Sequence, residues 1–328
     1  MTERFLVTGA LGCIGAWTVA TLVGEGVSVV VFDRASDPRR LRQLMTEGEL
    51  GSVTFVSGDI TDGGALGRAL DEHAVTNIVH LAALQVPFCR ADPVAGAQVN
   101  VVGTVNVFQA VRERPDQIRQ VAYAGSIGMF DAADADLATH RLDAGASAHP
   151  TNLYGVYKLA NEGTARVYWL ENGVSSVALR PLTVYGVGRD QGITSTPTKA
   201  IVAAVLGRPY RISFGGRTLF NYAEDVARAF IAASRSNLEG AQAFNLAGTA
   251  AHMSDVVAAI EEAVPEAKGL ITYEDNPLPF PDQIDTAGLE QLGPLPITPL
   301  RDGIRASAAR YRELSQAGRL VASEQGLE

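Results

Sequence analysis

Cysteine is almost missing from this chain. Cys13 and Cys89 are the only two in 328 residues, too few for a disulfide framework and not spaced as metal ligands. That excludes a small stapled secreted fold, gives no metal site, and fits a reducing, cytoplasmic setting. Runs of lysine or arginine are lacking too. With a formal charge of -9 and a pI near 5.1, neither a nucleic acid nor an anionic membrane is an expected partner. No apolar run approaches the ~18 residues of a membrane span, and the first four residues lead straight into an apolar stretch, leaving no room for a signal peptide. Repeats and low-complexity tracts are absent. What is plentiful is apolar side chain, 47% of the whole, enough for a large core in one elaborated domain or two.

Residues 5–7 form a short apolar run that reads as a buried strand. Gly9, Gly12 and Gly15 follow at three-residue spacing, before residues 16–23, whose apolar positions keep helical periodicity. The spacing has a physical use. A first glycine lets the chain turn tightly, a second removes the side chain that would hold a pyrophosphate off the backbone, and a third lets helix and strand pack closely. The helix then aims its free amides at the phosphates. Residues 27–33 are a second apolar strand ending in the carboxylate of Asp33, roughly the ~20 residues downstream at which a ribose-binding acid stands. Strand, turn, helix, strand and acid in this order predict a dinucleotide site. Asp33 can accept both ribose hydroxyl protons and would repel a 2′-phosphate, so NAD is expected and not NADP, with Arg34 stacked over the adenine. Cys13, inside the turn, reads as a small filler.

Strands over 53–59, 77–83, 120–126 and 176–181 alternate with helices over 64–72, from Pro93 to about 112, and 151–172. Asp92 is a good N-cap for the second of these helices, with Pro93 at its first position. Such alternation demands a parallel sheet covered on both faces, a doubly wound α/β domain. Beyond Pro181 the rhythm loosens into helices over 196–206, 222–234, 254–264 and 300–315, the third with Ser254 as its expected N-cap. A strand over 243–248 is placed to return to the main sheet, and residues 276–299 are proline-rich surface chain. The expected organisation is a dinucleotide-binding domain of residues 1–182 and about 219–249. A smaller substrate domain, about 183–218 and 250–328, is interleaved with it.

Tyr154 and Lys158 stand four residues apart, hence on one face of a helix. A phenol ionises near pH ~10, and a neighbouring cation favours the phenolate, bringing it towards use as a general acid and base. The pair opens the helix that follows a strand ending at Ser126, and open parallel sheets form their sites at the carboxyl ends of strands. At this point the chain resembles the extended short-chain dehydrogenase/reductase family, which includes the NAD-dependent nucleotide-sugar epimerases and dehydratases. The motifs that carry the resemblance are Thr8-Gly-Ala-Leu-Gly-Cys-Ile-Gly15, Gly58-Asp59-Ile60, His80-Leu-Ala-Ala83, Asn100 to Thr104, Ala124-Gly-Ser126, Tyr154 with Lys158, Leu179-Arg-Pro181, Val184-Tyr-Gly186, Ala223-Glu-Asp225 and Phe244-Asn-Leu246.

The resemblance implies a Rossmann-type sheet and a set of roles. Tyr154 would be the acid/base acting on a substrate oxygen, Ser126 would hydrogen-bond that oxygen, and Lys158 would hold the nicotinamide ribose and lower the tyrosine pKa. Asn100 would support this network. Gly9, Gly12, Cys13, Ile14 and Gly15 would cradle the cofactor, Asp59 and Ile60 would flank the adenine, Leu81, Ala82 and Ala83 the phosphate and ribose, and Pro181 the nicotinamide.

Departures from the pattern narrow the reaction. Ile127-Gly128 follows Ser126 where dehydratases carry an acid pair, so dehydration is disfavoured. Thr183 stands where nucleotide-sugar enzymes usually have Asn, and Thr218 where they have an arginine for the diphosphate. Arg217 is one residue off, and in an extended segment one residue turns a side chain to the opposite face. The expected activity is therefore NAD-dependent oxidation of a secondary alcohol on a free sugar or sugar acid. A nucleotide-sugar epimerase is the alternative, and a non-catalytic dinucleotide sensor the second. Gln85, Phe88, Thr183, Arg189 and Phe280 are candidate wall residues, with Arg189 facing a carboxylate, phosphate or sugar hydroxyl, and residues 131–150 are expected to help cover the site. The helices 93–112 and 154–170 carry more apolar residues than one sheet face uses, which points to a homodimer joined through this pair.

Overall fold

The computed structural model describes residues 2–118, 120–136 and 141–327. Its centre is a parallel sheet of seven strands, ordered across the sheet as Ala241–Asn245, Ser175–Arg180, Gln120–Ala124, Asn77–His80, Arg4–Thr8, Ser28–Asp33 and Thr54–Ser57. The first strand pairs on one side with the second, Thr8 opposite Phe32, and on the other with the fourth, Thr8 opposite His80. The strand order therefore reverses at Thr8, and a crevice opens above it. Alternate residues of the first strand face opposite layers. Phe5 and Val7 pack with Val19, Leu22 and Phe230, whereas Leu6 packs with Leu66, Leu70, Phe108 and Val111. Burying each such side chain stabilises the fold by about 1.5–3 kcal/mol, which is why these strands are apolar at consecutive positions.

Strand Ala241–Asn245 does return to the main sheet, pairing in parallel with Ser175–Arg180 at its edge. Smaller sheets gather over the carboxyl ends. Thr183–Tyr185, Arg217–Tyr222 and Thr249–His252 form one, Tyr210–Ile212 pairs with Ile271–Tyr273, and Arg141–Leu142 pairs with Gln283–Ile284. Around them lies a second core that includes Tyr185, Phe220, Tyr222, Ile260, Ile304 and Tyr311.

Local structure departs from the sequence pattern in places that matter for the site. The fourth strand stops at His80, because the amides of Leu81 and Ala82 turn to the Thr8 hydroxyl, each at 3.2 Å. The chain then runs irregularly into a short helix, Val86–Ala91. Asp92 caps the next helix as expected, its carboxylate accepting from Ala95 N at 3.0 Å. That helix is not uniform. A wide π-turn, Gln98–Val102, separates Pro93–Ala97 from Gly103–Arg112 and buries Asn100. By length and composition, Pro93–Arg112 is the one helix among the described residues fit to cross a membrane. It packs here on the sheet beside helix Leu153–Asn172, as core helices with the same composition do. The expected cap at Ser254 is corrected: the helix is Met253–Ala263, capped by the His252 ring accepting from Ser254 N while Asp255 reaches back to His252 N.

Candidate functional site

A cavity of about 370 Å³ occupies the crevice, and the glycine turn is its floor. Gly9 has φ +64°, and a Cβ there would lie 2.6 Å from Ala82 N; one at Gly15 would lie 2.3 Å from Gly9 O. Both positions therefore require glycine, the first for the turn and its neighbouring strand, the third for close packing. Gly12 meets only Gly9 O, at 3.1 Å, so the space above it stays open for a phosphate to approach the amides of helix Cys13–Gly24. Asp33, at the end of the second strand, accepts from Leu11 N and Ala35 N, both at 2.9 Å, which fixes its carboxylate on the cavity wall. Arg34 is 72% exposed in its side chain and stands 3.9 Å from Asp59. The Asp59 carboxyl is held below its usual range, chiefly by the Thr61 amide. An open glycine cradle with a fixed acid at the ribose position fits a dinucleotide.

Gly9, Gly12, Cys13, Ile14, Gly15, Asp33, Arg34, Asp59, Ile60, Leu81, Ala82, Ala83, Tyr154, Lys158 and Pro181 all line this cavity. Asn100 does not. It is buried behind the wall, its amide bonded to both backbone groups of Leu84 at 2.7 and 2.9 Å and to Cys89 Sγ at 3.4 Å. It supports the loop that forms the wall and does not itself reach the cavity. Cys13 is more than filler, since it lines the cavity, with its thiol pushed by burial up to about 11.

Helix Leu153–Asn172 starts under an Asn152 cap and brings Tyr154 and Lys158 to the cavity together. Lys158 is 3% exposed and donates to Ala124 O at 2.7 Å, with Nζ 5.5 Å from the centre of the Tyr154 ring. Ser126 Oγ accepts from Gly128 N at 3.0 Å. Burial pulls Lys158 down to about 8 and pushes the Tyr154 phenol above its usual value. This corrects the expectation that Lys158 lowers the tyrosine pKa in the protein alone. Lys158 is not among the groups that act on the phenol here, and the same burial disfavours its own ammonium. The groups that pull the phenol down are the Ser126 hydroxyl and then the Arg189 guanidinium.

A loop after the strand Thr183–Tyr185 closes the cavity from above, and sequence reasoning missed how it is held. Asp190, almost fully buried, accepts from Arg40 Nη2 at 2.7 Å, Arg39 Nη2 at 3.1 Å and Arg40 Nε at 3.2 Å. Arg40 also donates to Leu11 O at 2.7 Å and Gly188 O at 3.2 Å, tying loop to glycine turn. Trp17 Nε1 donates to Val187 O at 2.9 Å, and Gly188 N to the Tyr311 hydroxyl at 3.1 Å.

Among the candidate wall residues, Gln85, Arg189 and Phe280 line the cavity, whereas Phe88 and Thr183 do not. Thr183 is fully buried, its hydroxyl 3.1 Å from that of Thr218, so the inter-strand pair satisfies it. Phe88 points out to solvent on its helix. Arg217 is paired with Asp282 at 3.2 Å. Of the segment 131–150, residues 137–140 lie outside the described residues. The described part packs through Leu142, Ala146 and Ala148 against Ile127, Met129 and Phe130, and none of it lines the cavity.

The profile of the NAD dependent epimerase/dehydratase family matches residues 5–247. The chain is 29% identical to the UDP-glucose 4-epimerase of Mycolicibacterium smegmatis over 95% of its own length and 100% of the relative's. Among solved structures, Thermus thermophilus UDP-glucose 4-epimerase in complex with NAD superposes with a TM-score of 0.78 at 26% identity, covering 94% of this chain and 99% of that one. A partial-consensus L-threonine 3-dehydrogenase superposes with a TM-score of 0.81 at 23% identity, over 95% and 100%, and shows the shared fold alone. With an NAD cradle at the carboxyl ends of a Rossmann sheet, this chain belongs to the NAD dependent epimerase/dehydratase family.

Proposed function

We propose that this protein epimerises a nucleotide sugar, oxidising a secondary alcohol and reducing the resulting ketone from the other face. The observation that carries this reading is the 29% identity with a UDP-glucose 4-epimerase over 95% of this chain and 100% of the relative, together with Ser126, Tyr154 and Lys158 lining one cavity. NAD, when bound, supplies the hydride acceptor. Tyr154 takes the hydroxyl proton of the substrate and later returns it, and Ser126 holds the same oxygen. Lys158, fixed to Ala124 O, presents its ammonium to the ribose, and Asp33 accepts the ribose hydroxyls at the other end. Ile127 and Gly128 offer no proton-transferring group beyond Ser126, which keeps dehydration out of the reading.

Net oxidation of a free sugar or sugar acid is a second reading, favoured by a specific observation. The arginine nearest the diphosphate-binding register, Arg217, is engaged by Asp282, and Thr183 and Thr218 satisfy each other. Incubating the protein and NAD with UDP-glucose, UDP-glucuronate, glucose and glucuronate separates the readings. Epimerisation yields product without net absorbance at 340 nm, oxidation yields NADH in step with product, and a sensor yields binding without either.

The same proposal includes a homodimer. Val94, Val102, Val156, Leu159, Val167 and Leu170 remain exposed on the two long helices, Val94 and Leu170 at 68% each. Among the described residues, neither 131–136 with 141–150 nor the smaller sheets cover them. A two-fold axis through this helix pair would bury them against their copies.

A further inference from the structure

Among the described residues, no acid lies within ion-pair distance of Arg189. Its Nη2 donates to Thr194 Oγ1 at 3.1 Å, while its Nε is buried with no partner at all among the described residues. The one acid beside it in sequence, Asp190, is committed to Arg39 and Arg40. Gln85 Oε1 is likewise buried and unpartnered. Both side chains converge on Gly192, where a Cβ would fall 2.2 Å from Gln85 Oε1 and 3.2 Å from Arg189 Nη2. Arg189, Gln85, Gly192 and Thr194 line the cavity that Tyr154 also lines, and the Arg189 charge acts on the phenol.

Arg189 is part-buried, and burial disfavours a guanidinium that no anion answers. Arg189 lines the cavity, and a guanidinium is the group that can grip two oxygens of one carboxylate. The cofactor phosphates would have other partners, the amides at the start of helix Cys13–Gly24. We infer that the substrate carries a carboxylate close to the alcohol that Tyr154 serves, and that Arg189, with Thr194 beside it, binds that carboxylate. The inference rests on the reading of a sugar alcohol as the reacting group and adds the acid.

The test is equilibrium binding to the NAD-loaded protein by calorimetry, using two matched pairs, UDP-glucuronate with UDP-glucose and glucuronate with glucose. In at least one pair the acid binds about ten-fold or more tightly than its neutral partner, the range of a charge-assisted hydrogen-bond pair. Arg189→Met brings the two to within about two-fold while leaving NAD binding unchanged. Parity in both pairs, no detectable binding of either acid, or a preference that survives Arg189→Met overturns the inference. So does a variant that loses NAD and keeps the preference, because the guanidinium would then belong to the cofactor. Should Arg189→Met not fold, Arg189→Lys decides on the same criterion, since lysine lacks the two-oxygen edge. Acid binding that depends on Arg189 but leads to no turnover sinks the catalytic reading and keeps this one; turnover of sugars without that dependence does the reverse.

Discussion

Substituting Asp190 should turn a slowly exchanging cofactor into a fast one. Its carboxylate takes three guanidinium hydrogen bonds, from Arg40 at 2.7 and 3.2 Å and from Arg39 at 3.1 Å. Through Arg40 it links the loop above the cavity to Leu11 in the glycine turn below. Removing one partner of a buried ion pair costs about 3–5 kcal/mol. The arginine side chains here are 13% and 29% exposed, so water recovers part of that, and about 1.5–3 kcal/mol is left to favour the open loop. At 1.4 kcal/mol per factor of ten, Asp190→Ala should release NADH roughly 10- to 100-fold faster. The assay is stopped-flow fluorescence of preloaded NADH chased with excess NAD, alongside far-UV circular dichroism to confirm the fold. Arg39→Met is the control that touches no cavity wall, and with one bond lost it should speed release by only about three- to ten-fold. Release rates within about two-fold of the parent in both folded variants would refute the latch.

Other outcomes follow from the same geometry. Tyr154→Phe removes the proton-transferring oxygen and should cut turnover by ~10²–10⁴ with NAD affinity kept, whereas Lys158→Ala should damage both; half-activity in Tyr154→Phe would reassign the acid/base. His80, locked between the hydroxyls of Thr8 at 2.7 Å and Thr104 at 3.1 Å, is driven by burial down to about 3. An unfolded histidine binds its proton near pH ~6.5, so between these values the unfolded chain holds a proton the folded one refuses. Stability is therefore full above about 6.5 and falls as pH drops towards 3, by up to ~1.4 kcal/mol per unit. Urea titrations of His80→Gln should lose that slope between pH 6.5 and 4, and an unchanged slope would place the proton elsewhere. Asp33→Ser should raise kcat/KM with NADP relative to NAD, and an unchanged ratio would show that the acid does not read the ribose. Sedimentation at micromolar concentration should give a dimer that Val94→Glu with Leu170→Glu splits; a monomeric parent would end the helix-pair proposal.

The parts of this protein that were legible in the sequence are those set by short-range periodicity. Consecutive apolar residues such as Phe5, Leu6 and Val7 announce a strand buried on both faces, and the Gly9, Gly12, Gly15 spacing announces a cradle, because the positive φ of Gly9 and the approach of Gly15 to Gly9 O are settled within a few residues. Tyr154 and Lys158 were legible for the same reason, as one helical turn places them side by side. The tertiary structure alone decided what lies on the cavity wall. Arg39 and Arg40 look like a solvated charged turn until Asp190, 150 residues beyond Arg40, is brought against them. Thr183 looked like a substrate contact, but strand pairing turned its hydroxyl to Thr218, and the π-turn at Gln98–Val102 drew Asn100 behind the wall to hold Leu84. Lys158 kept its place and lost its expected effect on the phenol, because burial, which no local pattern encodes, acts on both groups and in opposite directions.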